Sequence, residues 1–135
     1  MLDHELRRDE GILVLRPEGP LAAEDFRTLA AHVDAYLEQR GTLHGVFIHA
    51  KAFPGWKDFG ALLAHLKFIK DHHLKIEKVA VVADGGIATI LPFIARHFIH
   101  AQVRHFDYTS DQNAAWAWLM DSSQRQTRRA ALGGR

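Results

Sequence analysis

From Ile76 to Asp84 the chain reads IEKVAVVAD, an apolar, β-branched run that turns polar at Asp84 and meets Gly85-Gly86. A short run bounded by turn residues is the pattern of a strand buried on both faces of a largely parallel sheet, so this stretch is expected to be a central strand. Upstream, Leu2, His4 and Leu6 alternate with Asp3, Glu5 and Arg7, which predicts a half-buried edge strand. Asp9-Glu10-Gly11 supplies a turn into a second strand over Ile12 to Arg16, ended by Pro17 and Gly19-Pro20, so the two form a hairpin. From about Ala22 to Arg40, the residues Phe26, Leu29, Ala30, Val33, Tyr36 and Leu37 fall on one helical arc. Glu24 and Asp25 suit the positive first turn of that helix, and Gly41 lies beyond its end. Leu43 to His49 is a further inner strand.

Ala52-Phe53-Pro54-Gly55 reads as a loop that delivers Trp56 to a second helix running to about His72. On that helix Trp56, Phe59, Leu62, Leu63, Leu66 and Ile69 share one face, and Phe68 points the other way among Lys57, Ala61, Ala64 and His72. After the central strand, Gly86 to Leu91 is expected to form a short turn, and Pro92 to open a third helix closing near His100. Gln102 to Asp107 is the last strand. A last helix over Asp111 to Met120 carries both Trp116 and Trp118, which two residues apart cannot share a face. The pattern predicts a mixed, mostly parallel five-stranded sheet, its first strand antiparallel, with about four helices joined to it by right-handed crossovers.

The 135 residues suffice for one domain, and no apolar run approaches the roughly 20 residues of a membrane span. With no cysteine there is no disulfide, thiolate nucleophile or cysteine zinc site. The opening MLDHELRR runs directly into a strand pattern rather than a basic-then-apolar leader, so a cytoplasmic protein is expected. The net charge of +1 hides a split. Arg125, Arg128, Arg129 and Arg135 all lie after Asp121, which leaves 13 Lys and Arg in residues 1–121 against all 16 Asp and Glu. A mildly acidic body argues against nucleic-acid binding. Residues 1–121 are expected to form the domain and 122–135 a disordered basic tail.

The order of elements carries a resemblance. Gly55-Trp56-Lys57-Asp58 opens the second helix, Val79-Ala80-Val81-Val82-Ala83-Asp84 forms the inner strand, and Val103-Arg104-His105-Phe106-Asp107 is followed by Ala115, Trp118 and Leu119. This arrangement resembles the SpoIIAA-like branch of the STAS superfamily over about residues 2 to 121. The resemblance implies a compact STAS-like α/β domain, related in shape to the CRAL-TRIO lipid-transfer fold and without an assigned activity. STAS antagonists of anti-sigma factors carry a phosphorylatable Ser at the start of the helix after the second inner strand. The matching stretch here is Asp58-Phe59-Gly60, which has no hydroxyl to accept phosphate.

In open α/β sheets, sites lie beyond the carboxyl ends of the strands, which marks Asp84, Gly85 and Gly86. Backbone N–H groups at two helix starts could converge there beside Trp56, so Trp56, Lys57, Asp58, Asp84, Gly85, Gly86, Ile87 and Leu91 form a candidate site for a small amphiphilic ligand. Ile87 to Leu91, between Gly86 and Pro92, would then act as a lid. Among the ten histidines, His97-x-x-His100 with His105 nearby is the best metal pattern, but no carboxylate accompanies it and no metal or cofactor is expected. His72-His73 reads as a helix-end dipole partner and cap. The three serines, Ser110, Ser122 and Ser123, include a helix cap at Ser110 but no nucleophile motif, so no catalytic residue is assigned. Phe68, Phe93 and one of the two tryptophans lie off the main apolar arcs and are expected to be exposed; with Ala115, Trp118 and Leu119 facing the core, as the resemblance implies, Trp116 is the exposed one. The reading is a non-enzymatic binding or regulatory module acting through protein association, a homodimer first, with the amphiphile carrier as the alternative.

Overall fold

The computed structural model describes residues 1–51, 59–72, 75–84 and 101–121. Five strands, β1 (Leu2–Arg7), β2 (Ile12–Pro17), β3 (Leu43–His49), β4 (Ile76–Ala83) and β5 (Gln102–Asp107), form one sheet in that spatial order. β1 is antiparallel to β2, with Leu6 opposite Leu13, and the other neighbours are parallel. The described helices are α1 (Ala23–Arg40), α2 (Phe59–His72) and α3 (Gln112–Met120). The helix expected over Pro92 to His100 lies outside the described residues, as do the Ile87 to Leu91 turn and the 122–135 tail.

Gly11 turns the hairpin at a φ of 69°, a left-handed conformation that suits a residue without Cβ. Its N–H donates to the Arg7 carbonyl at 2.8 Å, and its own carbonyl accepts from the His44 and Gly45 amides at 2.9 and 3.2 Å. The turn is therefore tied to the start of β3. At the head of α1 the Asp25 carboxylate accepts from the Ala22 N–H at 2.8 Å, and Gly41, at a φ of 85°, closes the far end.

A strand order that follows the sequence makes every crossover run the same way, and a uniform right-handed crossover puts the intervening helices on one face. Leu29, Val33, Tyr36 and Leu37 of α1 and Ile69 of α2 accordingly share a core cluster with Leu13, Val46, Val79 and Val81. The strand residues between them, Ile12, Val14, Phe47, Ala80 and Val82, point to the other face and meet Ala115 and Leu119 of α3. The result is three layers with the sheet in the middle. β3 holds the middle of the sheet, and β4, expected as a central strand, is an inner strand beside it, buried on both faces as its composition predicts.

Gly45 lets α3 approach closely, because a Cβ there would lie 2.8 Å from Leu119 Cδ2. The helix is fastened at its far end by Lys78, which is only 2% exposed. Its Nζ donates to the carbonyl oxygens of Trp118 and Asp121 at 2.9 and 2.6 Å and sits 5.0 Å from the Trp118 ring centroid. A cation there meets the negative end of the helix, and the apolar stem lies in the core.

Two expectations are corrected. The outer face assigned to α2 is an inner one: Ala61 and His72 are 0% and 4% exposed, and Phe68 is half-buried. α2 packs beside α1, and its Ile69 joins the core cluster with the strands, so it buries two sides. His72 does sit in the last turn, bonding the Phe68 carbonyl through Nδ1 at 2.7 Å, but its Nε2 also bonds Asp34 Oδ1 of α1 at 2.7 Å. The N-cap of α3 is Asp111 rather than Ser110, whose hydroxyl instead donates to Asp107 Oδ1 at 3.1 Å.

Candidate functional site

At the carboxyl edge of the sheet the ends of β3 and β4 interlock. The Ala50 amide donates to the Val82 carbonyl at 3.1 Å, and the Asp84 amide to the Lys51 carbonyl at 2.8 Å. Asp84 is therefore placed at this edge and half-buried. Its expected companions Trp56, Lys57, Asp58, Gly85, Gly86, Ile87 and Leu91 lie outside the described residues. A crevice opens where strand order reverses, and the order of the five strands contains no reversal.

On the α3 side of the sheet a strip of rings crosses from this edge. His49 stacks on Tyr108 with centroids 4.8 Å apart and lies 6.0 Å from Phe47. Trp116 meets Phe47 edge-on at 5.4 Å, and the Arg7 guanidinium carbon lies 5.2 Å from the Trp116 centroid. Period-two alternation places these groups together: Phe47 and His49 point the same way from β3, and Arg7 and Arg16 the same way from the hairpin. α3, starting beyond β5 and running back over β4 and β3, then brings Trp116 between them.

The hairpin's α3-side face bears both signs. Arg7 lies 3.7 Å from Glu5 and 3.1 Å from Glu10, and Arg16 lies 4.0 Å from Glu5. These exposed pairs contribute little to stability but set out alternating charge beside the indole. Burial, with the Arg16 cation adding to it, lowers the His49 pKa from its ordinary value. Both effects disfavour the imidazolium, so His49 is presented as a neutral ring. Across the loop that leads to α3, Asp107 accepts from the Thr109 hydroxyl at 2.7 Å and from its amide at 2.9 Å, which holds the carboxyl below its usual pKa.

Of the three surface aromatics expected, Trp116 stands at this strip, half-buried rather than fully exposed, and Trp118 is half-buried too, against Phe106 and Lys78. Phe68 stacks on His72 with centroids 4.2 Å apart and packs against the α1–α2 core, because α1 covers the side it faces. Phe93 lies outside the described residues. His105 Nε2 donates to the Ala83 carbonyl at 2.8 Å, so one of its two nitrogens is engaged in the sheet; His97 and His100 are not among the described residues. Arg7, His49, Tyr108 and Arg16, which stand at or beside this strip, are not among the residues that the sequence singles out. The alternation that marked β1 as an edge strand also put Arg7 on its polar face, but only the fold puts Trp116 over it.

The sequential mixed sheet, with α1 and α2 on one face and α3 on the other, is a STAS-like α/β domain. The model of the SpoIIAA-like family matches residues 12–120, and the chain belongs to that family. Its members are commonly regulatory or binding modules. No curated protein and no solved structure matches the chain. Among the described residues, no helix is long and apolar enough to cross a membrane.

Proposed function

We propose that this chain is a non-enzymatic binding module that acts by protein association, and that the first partner is a second copy of itself. The observation that carries this reading is Trp116, half-exposed beside Phe47 and under the Arg7 guanidinium at the margin of the charged hairpin face. Trp and Arg are the side chains that dominate interface energetics, and a ring already held by its neighbours loses little freedom on docking. A face bearing Glu5 and Glu10 together with Arg7 and Arg16 offers both signs of charge to a second copy, which an isologous dimer can use.

Sedimentation velocity over a dilution series tests it. The wild type should sediment as a dimer that dissociates on dilution, and Trp116→Ala should weaken association by about 2 kcal/mol or more, the cost of truncating an interface anchor. A wild type that stays monomeric at every concentration would remove self-association.

A second reading rests on His49. A neutral imidazole stacked on Tyr108, with the Arg16 cation beside it, could hold the acidic head of an amphiphile at the carboxyl edge; the expected apolar residues Trp56 and Ile87 to Leu91 lie outside the described residues. Its mark would be a discrete small molecule released from the purified protein on denaturation.

A further inference from the structure

We propose that His4 and His32 form a two-histidine site for a borderline divalent transition-metal ion such as Zn²⁺, clasping β1 to α1. The two residues are 28 positions apart in the chain, yet His4 Nε2 and His32 Nδ1 lie 2.6 Å apart, their rings tilted at 45° with centroids 4.9 Å apart. His4 shares the inward face of β1 with Leu2 and Leu6, both packed against the core, so its backbone position is fixed. His32 is exposed at the margin of the α1 arc, so its ring has room to pivot.

Two nitrogens at this spacing share a single N–H, one ring donating and the other offering its lone pair. A metal takes the place of that proton. The donor ring moves its proton to its other nitrogen, both inner lone pairs then face the ion, and no net proton leaves two neutral rings. Metal–nitrogen bonds of about 2.05 Å at a tetrahedral angle put the nitrogens about 3.3 Å apart, so the pair opens by roughly 0.7 Å, within the swing of an exposed side chain.

The donor set decides the ion. Two imidazoles suit Zn²⁺, Ni²⁺ or Cu²⁺, and not Mg²⁺ or Ca²⁺, which take oxygen. Among the described residues, no group of three or more His, Cys, Asp or Glu side chains is placed to hold a metal. With two imidazole ligands the proposed site leaves its remaining positions to water, which makes it an exchangeable site rather than a structural zinc centre. Because the ligands must be neutral, affinity falls as pH drops.

The test is titration of tag-free protein with Zn²⁺ alone, followed through the imidazole signals in long-range ¹H–¹⁵N spectra and by calorimetry. At the first equivalent the His4 and His32 signals should move together. His4→Asn and His32→Asn should each lower affinity at least tenfold, and Mg²⁺ should leave both signals in place. The imidazole spectra of the wild type alone decide the question even where a variant folds poorly. The proposal is overturned if other histidines respond first while these two stay fixed, or if either folded variant binds Zn²⁺ as tightly as the wild type.

Discussion

Lys78→Met removes the ammonium that fastens α3 and keeps most of the stem that lies in the core. Nζ donates to Trp118 and Asp121 carbonyl oxygens at 2.9 and 2.6 Å from a side chain 2% exposed. A hydrogen bond to a charged group contributes about 1.5–3 kcal/mol, and a cation at a helix C-terminus adds ~0.3–1 kcal/mol. Against this, methionine escapes the desolvation of a buried ammonium, which returns part of the sum. The expected net loss is about 2 kcal/mol, a fall in Tm of roughly 6–10 °C for a chain of this size. Urea unfolding followed by far-UV dichroism gives the energy, and tryptophan emission reports whether the Trp118 ring loses its cation. A variant as stable as the wild type, or more so, would show that desolvation outweighs the capping bonds and would refute the account of how α3 is held.

Gly45→Ala should drive a Cβ to 2.8 Å from Leu119 Cδ2, destabilising the fold by about 1–3 kcal/mol through overpacking; an unchanged unfolding midpoint would contradict the close approach of α3. Gly11→Ala meets both a φ of 69° and the Tyr36 hydroxyl at 3.1 Å, and should cost about 1–2 kcal/mol by the same assay. His49 governs a pH effect. In the unfolded chain it takes up a proton near 6.5, whereas the folded ring resists protonation until a lower pH, so its stability contribution is full above 6.5 and falls as pH drops through that value. The wild type should accordingly lose more stability than His49→Gln between about pH 7.5 and pH 5. Equal losses would show that the folded ring titrates like a free one.

What the sequence made legible follows from which forces act locally. The β-branched run of β4, the alternation of β1 and the α1 arc depend on burial of one or two faces, and periodicity reports that directly. The face of α2 with Ala61, Phe68 and His72 reads as an outer one because α1, which packs beside it, is a neighbour that no local pattern reveals. Lys78 sits within an apolar run and carries no local sign of the helix end it caps, which arrives 40 residues later in the chain. Strand order, and with it the lack of a reversal among the five strands, is likewise a tertiary outcome. At the carboxyl edge, Asp84 follows from the strand that ends before it, and spacing alone says only that Trp116 and Trp118 face apart, the choice of Trp116 coming from the family resemblance, whereas Arg7, His49 and Tyr108 join Trp116 only when hairpin, sheet and α3 are stacked.

Native mass spectrometry of the tag-free protein, recorded gently and again after denaturation, tests the central claim most directly because it counts subunits and retained molecules together. The account predicts a ligand-free dimer, and a monomer for Trp116→Ala under the same conditions. A wild-type monomer that releases a discrete small molecule on denaturation would contradict it, and would make the carboxyl edge around His49 and Asp84 the working surface of the domain.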